Sequence, residues 1–352
     1  MRKRKTLPKD FGELLTTSSL ADLQAIFRRT ELDARGGYTK KSALGFLECP
    51  DELIVWLAGE GLPVDTPDSY DETPLWTRAA RGRPEQIPLL LSLGADIERQ
   101  RRGGGAPLHG AAANQRPESV RTLLAHGADV HAPYHGRTTE TPLLHGLRGT
   151  ANASISRMAE VAELLLEAGA TVTDQVREQV RRIGTDFEFH RSGFNPDYLD
   201  ATDAGLHKLY RLFDTEPVPP RRTHDGVSPI LLPDAPWPEQ HEALWALLVP
   251  SSGPAATVQG EAIRVAGKIS HEIQANGGAN WDRSFRAMAD ALPGYLAAGT
   301  PLPEDERQEA AALVKNARAG DDDQFARLAE LVVRWIGQNP DPLPLPAPAY
   351  HR

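Results

Sequence analysis

The residues best suited to chemistry lie in the C-terminal half of the chain. His271 and Glu272 are adjacent, and a histidine beside a carboxylate can serve in general acid–base catalysis or bind a metal ion. Asn280 and Asp282 follow shortly after a Gly-Gly pair. One hypothesis is therefore an enzyme with a site around His271/Glu272 and Asn280/Asp282. Its further candidate members are Glu261 and Arg264.

The same positions also fit a charged helix face without catalytic function. Helical spacing predicts one charged face opposite the apolar Ile263 and Ile269, and it consists of Glu261, Arg264, Lys268, His271 and Glu272. Charged residues three and four positions apart commonly share an exposed helix face. The glycines at 277 and 278 are typical of a helix end, and either Asn280 or Asp282 could cap the next helix. We expect a solvated or partner-binding face and keep the enzyme site as the alternative.

Other catalytic and cofactor motifs are incomplete. Gly267-Lys268 resembles part of a phosphate loop, but Ala262 stands where the first glycine belongs and the apolar spacing predicts a helix. The one cysteine, Cys49, excludes thiolate zinc sites and an internal disulfide, and its apolar neighbours indicate a core position. We therefore predict no catalytic, cofactor-binding or metal-binding residues, and no cofactor.

Composition narrows the class of partner. The net charge is −9, and dense basic residues occur only at positions 2–5, so nucleic-acid binding is not expected. No apolar stretch is long enough to span a bilayer, and no secretory signal follows the basic start. We expect a cytoplasmic protein that neither crosses nor binds a membrane.

An internal repeat is the strongest pattern in the chain. Pro74 and Pro107 lie 33 residues apart, as do Gly94 and Gly127. Between them stand paired alanines and a leucine run, which predict two short helices per repeat. A weaker copy precedes them from Ser42, and the third copy has about seven extra residues between its helices. The three clear copies run from Thr73-Pro74-Leu75 to Gly94-Ala95-Asp96, from Ala106-Pro107-Leu108 to Gly127-Ala128-Asp129, and from Thr141-Pro142-Leu143 to Gly169-Ala170.

These residues resemble the ankyrin repeat. The resemblance implies an all-α solenoid of helix-turn-helix units with projecting hairpin loops, and it implies that His109 has a structural role. Arg78 departs from the pattern, since a small residue is usual there, and Gly110 replaces an apolar one. We therefore expect the inner helix around Arg78 to be distorted or to contact another element.

A repeat stack presents a concave face made of hairpin tips and inner helices. Tips can vary because the fold does not need them, and Tyr, Trp and Arg often contribute most of the binding energy at interfaces. The tips should change from acidic at 65–72 to basic at 99–102. The predicted partner-binding residues are Tyr38, Lys40, Asp68, Tyr70, Glu72, Trp76, Arg81, Arg99, Gln100, Arg101, Arg102, Asn114, Tyr134, His135, Arg137 and Glu140.

The domain organisation follows from these patterns. Five helical periods after a proline-rich stretch predict a small helical C-terminal domain, which resembles regions of uncharacterised bacterial proteins and so implies a bacterial source. The predicted segments are a flexible basic tail (1–9), N-terminal capping helices (10–36), about four ankyrin repeats (37–173), closing helices (174–215), a Pro-rich linker (216–238), the helical domain (239–338) and an extended Pro-rich tail (339–352).

These observations favour a monomeric protein-protein interaction module that binds a protein partner through the concave ankyrin surface. A narrower hypothesis, from analogy, is a toxin-neutralising protein of the immunity type. The alternative remains the enzyme described above, with its site in the C-terminal helical domain.

Overall fold

The computed structural model describes residues 3–102, 104–134 and 140–351. Most of these residues are helical, which confirms the predicted helical fold class. The chain divides into two compact units, the first comprising residues 1–187 and 194–218 and the second residues 188–193 and 219–352. Each unit has its own apolar core. Within the described ranges, every helix is too short or too polar to cross a bilayer.

The N-terminal segment contains a strand pair that the sequence did not predict. It consists of β1 (Arg4–Thr6), α1 (Phe11–Thr17), α2 (Leu20–Ile26) and β2 (Thr30–Arg35), with β1 parallel to β2. Residues 1–9 were expected to be a flexible tail and 10–36 only helical, so both expectations were wrong where the strands lie. The β1 side chains are exposed, so the sequence of this strand has the polar pattern of a flexible tail although its backbone is paired with β2.

The repeats form pairs of short helices in the first unit. Inner helices stack on inner helices and outer helices on outer ones. The weak first copy has a 3-10 turn, Ala43–Gly45, in place of an inner helix. The outer helices are α3 (Asp51–Gly59), α5 (Ile87–Ser92), α7 (Pro117–Ala125) and α9 (Ile155–Glu167), and the inner helices are α4 (Pro74–Arg81), α6 (Pro107–Ala113) and α8 (Pro142–Arg148).

Caps and glycines set the ends of these helices. The Thr73 hydroxyl accepts a hydrogen bond from Trp76 N (3.2 Å), and Thr141 does the same for Leu144 N (3.4 Å). Gly94 follows its outer helix at φ 96°, and Gly127 follows the next at φ 86°. No other atom approaches the position of an added Cβ at either glycine, so the left-handed backbone is what requires glycine there.

Two longer helices follow the repeats: α10 (Asp174–His190) and α11 (Pro196–Leu212), which packs on α9. Gly184 lies inside α10, and a Cβ there would collide with the Tyr210 hydroxyl. The glycine therefore serves close packing rather than helix termination.

The second unit is a helical domain built around a buried helix. That helix, α13, contacts three of the other four. Asp282 caps α14 by accepting from Phe285 N (2.9 Å), and Asp321 caps α16 by accepting from Gln324 N (3.0 Å). The helices are α12 (Trp237–Leu248), α13 (Val258–Gln274), α14 (Arg283–Leu296), α15 (Glu304–Asn316) and α16 (Asp322–Gln338).

Two proline-rich segments pack onto this domain. Residues 219–236, expected to belong to a linker, are part of the second unit, where Arg221 Nε donates to Ala246 O (2.7 Å) and Ile230 is buried. The extended C-terminal segment is held by Gln259, whose side chain donates to Asp341 O (2.8 Å). Tyr350 near its end is buried.

Candidate binding surface

The hairpin loops that precede the inner helices hold one another through carboxylates. Asp65 Oδ2 accepts from Asp96 N (2.9 Å), and Glu98 Oε1 accepts from Asp129 N (2.7 Å) in the next loop. Burial raises the pKa of both Asp65 and Glu98. The loops therefore form a connected surface. We call residues 38–41, 65–72, 96–102 and 129–134, the described part of these loops, the tip surface.

Several predicted binding residues are exposed on the tip surface. Tyr38 is 91% exposed and Tyr70 is 54% exposed, which is unusual for aromatic side chains. Lys40, Arg99 and Arg102 are also exposed. These side chains are therefore accessible to a partner.

The predicted change from acidic to basic tips is largely neutralised within the protein. Arg101 Nη1 pairs with Glu72 Oε1 at 2.8 Å, and Arg99 Nη2 lies 4.0 Å from Asp71 Oδ1. Burial raises the pKa of Glu72, against the influence of Arg101. Because neighbouring loops carry opposite charges, a partner meets paired ions instead of separate acidic and basic regions.

Two predicted binding residues are buried, and both predictions of accessibility were wrong. Trp76 is 9% exposed; its ring lies beneath the Arg101 guanidinium at 4.7 Å and packs against Gly110, where an added Cβ would lie 3.0 Å from the ring. Glu140 is 8% exposed, and its carboxylate binds His145 Nδ1 (2.8 Å) and Arg148 Nη1 (2.5 Å). The Trp76 ring thus packs between adjacent repeats, whereas the Glu140 carboxylate binds side chains of its own repeat.

The remaining predicted residues have mixed environments. Arg81 and Asn114 are exposed near the C-terminal ends of the inner helices α4 and α6. Gln100 Nε2 donates to Pro133 O (3.1 Å), and the half-buried Tyr134 stacks on His145 at 4.6 Å between ring centroids. His135 and Arg137 lie outside the described residues.

A small polar cavity brings three predicted residues together. Its volume is about 260 Å³, and Asp68, Glu72 and Arg81 line it. Lys41 also lines it and lies over the Phe46 ring at 4.4 Å; burial lowers the pKa of its ammonium group. Lys40 was among the predicted residues and its neighbour Lys41 was not, because a loop sequence does not reveal which lysine turns inward. The cavity offers both charges to a partner's polar side chain.

Arg78 connects the two elements beside this cavity, α4 and the turn of the first copy. Its guanidinium is fully buried and donates to Leu44 O (2.6 Å), Phe46 O (2.7 Å) and Gln86 Oε1 (3.0 Å). Burial lowers its pKa to about 10. Of the two expectations for Arg78, contact with another element is confirmed, since it ties the regular helix α4 to the turn of the first copy.

His109 also has a structural environment. It is buried between repeats, where its Nε2 lies 3.1 Å from Glu140 O, and burial lowers its pKa to about 4. Cys49 is buried as well, which raises the pKa of its thiol to about 12. A thiol with so high a pKa is a poor nucleophile at neutral pH.

The hypothetical enzyme residues of the second unit do not form one site. His271 lines a large cavity, whereas Glu272 is buried and accepts from Asn280 N (2.6 Å) and Asn276 Nδ2 (3.0 Å). Glu272 thus fixes the turn before α14, and Asp282 caps that helix. In the described ranges no three His, Cys, Asp or Glu residues are grouped closely enough to hold a metal ion.

The prediction that the charged residues of α13 lie on a solvated face was also wrong for the first turns of this helix. Glu261 is fully buried and Arg264 is 2% exposed, and the two form an ion pair. The Tyr350 hydroxyl donates to Glu261 Oε1 (2.6 Å). Although burial opposes the charged form of Glu261, hydrogen bonds from Arg264 and Tyr350 lower its pKa. These charges therefore belong to the core of the domain.

Comparison with known families identifies the repeats. The family model of ankyrin repeats matches residues 45–134, in three copies. A comparison with curated proteins gives no match. Residues 45–134 are thus an ankyrin-repeat array, and ankyrin repeats indicate a protein-interaction module.

Proposed function

From the three ankyrin repeats as premise, we propose that this protein binds a protein partner through its tip surface and the adjoining ends of the inner helices. The observation that supports the proposal most directly is that different side chains of the repeats have structural and solvent-exposed positions. Arg78 and Trp76 connect the repeats, whereas Tyr38 and Tyr70 extend into solvent without a corresponding role in the core. Exposed tyrosines bury a large area at low entropic cost when a partner binds.

The polar cavity beside Lys41 adds specificity to this surface. A partner side chain with both donor and acceptor groups, such as Asn, Gln or Arg, could reach Asp68 and Arg81 there. The paired ions around Glu72 and Arg101 lie beside it and would disfavour partners with a large charge of one sign. We propose a protein partner whose contact surface is polar and has a small net charge, and not a nucleic acid or a membrane.

A matched pair of variants tests the proposal. Tyr70→Ala with Arg102→Ala removes two exposed side chains of the tip surface, and Tyr198→Ala with Arg121→Ala removes the same types elsewhere on the first unit. Tyr70 and Tyr198 are similarly exposed, at 54% and 57%. Each double variant and the wild type would be used to capture partners from extracts of the source cell.

We expect the tip variant to lose at least about tenfold in affinity for the main captured protein, and the control variant to match the wild type. Equal affinities for the three proteins would exclude the tip surface as the binding site. Loss in the control variant alone would place the site elsewhere on the first unit.

The finer proposals are a monomeric, cytoplasmic protein and a toxin-neutralising role of the immunity type. The second rests on analogy with small binding proteins that inhibit enzymes by covering them. Co-expression with the toxic product of a neighbouring gene tests it. Wild-type protein should restore growth and the Tyr70→Ala/Arg102→Ala variant should not; no rescue by the wild type would remove this role while leaving partner binding open to the capture experiment.

A further inference from the structure

The second unit contains a cavity with the size of a small-molecule site. Its volume is about 790 Å³, within the range of about 300–1,000 Å³ that is usual for ligand pockets. Its lining residues all belong to the second unit. Small residues on two facing helices leave the space open: Ala266, Gly267 and Ser270 on α13, and Ala326 and Ala329 on α16.

One wall of the cavity is aromatic. Trp237, His241 and Trp245 follow one another at four-residue spacing and so share a face of α12. His241 stacks on Trp245 at 26° between ring planes. Gly267 allows the Trp245 ring to lie against α13, because any Cβ there would overlap the ring. This wall suits a flat, unsaturated ligand body.

The neighbouring wall is basic. Arg264, Lys268 and His271 stand at positions i, i+4 and i+7 of α13, and all three line the cavity. The one carboxylate of the lining is that of Asp322, whose Oδ1 accepts from Gln274 Nε2 at 2.6 Å. Glu261, which pairs with Arg264, is not part of the lining, so basic groups outnumber carboxylates on the cavity surface itself and favour an acidic group of a ligand there.

Two buried polar atoms at the cavity remain without hydrogen bonds. Arg264 is 2% exposed and uses Nε and Nη2 for Glu261, while its Nη1 has no partner in the described part of the chain. His241 Nε2 likewise has none there. A buried guanidinium donor without a partner is destabilising, so an acceptor supplied by a ligand would be stabilising.

We propose that this cavity binds a small planar aromatic anion, with its rings against the α12 wall and its acidic group toward the basic stripe of α13. This site is independent of the tip surface and of any protein partner. Carboxylates, sulfonates and phosphate monoesters on an aromatic body share this chemistry.

The first test uses the full chain and two fluorescent probes of nearly the same shape. The anionic probe is 8-anilinonaphthalene-1-sulfonate, and the neutral one is N-phenyl-1-naphthylamine. We expect one anionic probe to bind per chain, at least about fivefold more tightly than the neutral probe. Equal binding of the two probes, or no saturable binding of either, would overturn the proposal.

Variants then locate the bound probe. Ala329→Phe and Ser270→Phe fill the cavity from opposite helices and should abolish binding; two fillers are used so that one that misfolds by circular dichroism can be set aside. Lys268→Gln should weaken the anionic probe about fivefold and leave the neutral one unchanged, whereas Arg286→Gln, exposed on α14, should change neither. Unchanged binding in a folded filler variant, or an equal effect of Lys268→Gln and Arg286→Gln, would contradict the site.

Competition distinguishes the acidic groups. 2-Naphthoate and 2-naphthyl phosphate would be titrated against the bound anionic probe. Displacement by either supports the proposal, and the one that acts at lower concentration identifies the preferred acid. Failure of both to displace the probe would overturn it.

Discussion

Replacement of Arg78 by alanine tests how the repeats are held together. Arg78→Ala removes the donors for Leu44 O, Phe46 O and Gln86 Oε1, at distances of 2.6, 2.7 and 3.0 Å. A buried acceptor left without a partner costs about 1–3 kcal/mol, and some water would enter the space of the lost side chain. We therefore expect the free energy of unfolding of the first unit to fall by about 3–5 kcal/mol. Arg81→Ala, an exposed arginine on the same helix, should cost less than about 0.5 kcal/mol.

Hydrogen–deuterium exchange with mass spectrometry measures this effect locally. We expect exchange in α4 and in residues 43–45 to accelerate between about a hundredfold and a few thousandfold in Arg78→Ala, since each 1.4 kcal/mol of the expected loss corresponds to a factor of about ten. Peptides from α16 serve as the internal reference and should not change. Equal exchange of α4 in the Arg78→Ala and Arg81→Ala variants would refute the role assigned to the buried guanidinium.

Three further predictions concern stability. Burial lowers the pKa of His109 from 6.5 to about 4, so as the pH falls the imidazole is protonated in the unfolded protein before it is protonated in the folded protein. The stability that neutral His109 contributes is therefore complete above about pH 6.5 and is lost as the pH falls toward 4. Urea titrations should show wild type losing roughly 2 kcal/mol more than His109→Gln between pH 7.5 and 4.5, and equal losses would contradict this. Gly94→Ala should cost about 1 kcal/mol in the same assay because φ is 96°, and a neutral effect would mean that the helix end adjusts. Tyr350→Phe removes the hydrogen bonds to Glu261 and Tyr295 (2.6 and 2.7 Å) and should destabilise the second unit by about 1–2 kcal/mol, measured by hydrogen–deuterium exchange in α13. Unchanged exchange would show that this hydroxyl does not hold the C-terminal segment.

The repeat architecture could be predicted because its determinants are local and periodic. Each of the three clear copies has a proline at the start of its inner helix and a glycine after its outer helix, so a spacing of 33 residues is enough to place the helices. The strand β1 could not be predicted in this way. Its exposed side chains give no apolar pattern, and its partner β2 lies more than 20 residues away.

The binding residues were harder to predict because exposure depends on pairs of residues. Gly110 departs from the repeat pattern, but only the structure shows that the Trp76 ring occupies the space that this glycine leaves. Glu261 and Arg264 have the spacing of an exposed ion pair, yet both are buried, and Tyr350, 89 residues after Glu261, donates a hydrogen bond to the Glu261 carboxylate. Periodicity within one helix contains no information about such a distant segment.

The aromatic and basic walls of the large cavity could be predicted from the sequence only in part. Trp237, His241 and Trp245 can be read from the sequence as one helix face. That they face the basic residues of α13 across an open space depends on the small residues between them, which is a property of the packed helices.

Site-specific photo-crosslinking tests the proposed binding surface most directly. A photoreactive phenylalanine derivative would replace Tyr38, Tyr70 or, as the control, Tyr198 in the full chain, and cells would be irradiated before analysis. We expect the same partner protein to be linked from positions 38 and 70 and not from 198, because the first two lie on the tip surface. Crosslinking to that partner from position 198 alone, or no crosslinked protein from positions 38 and 70, would contradict the proposed function.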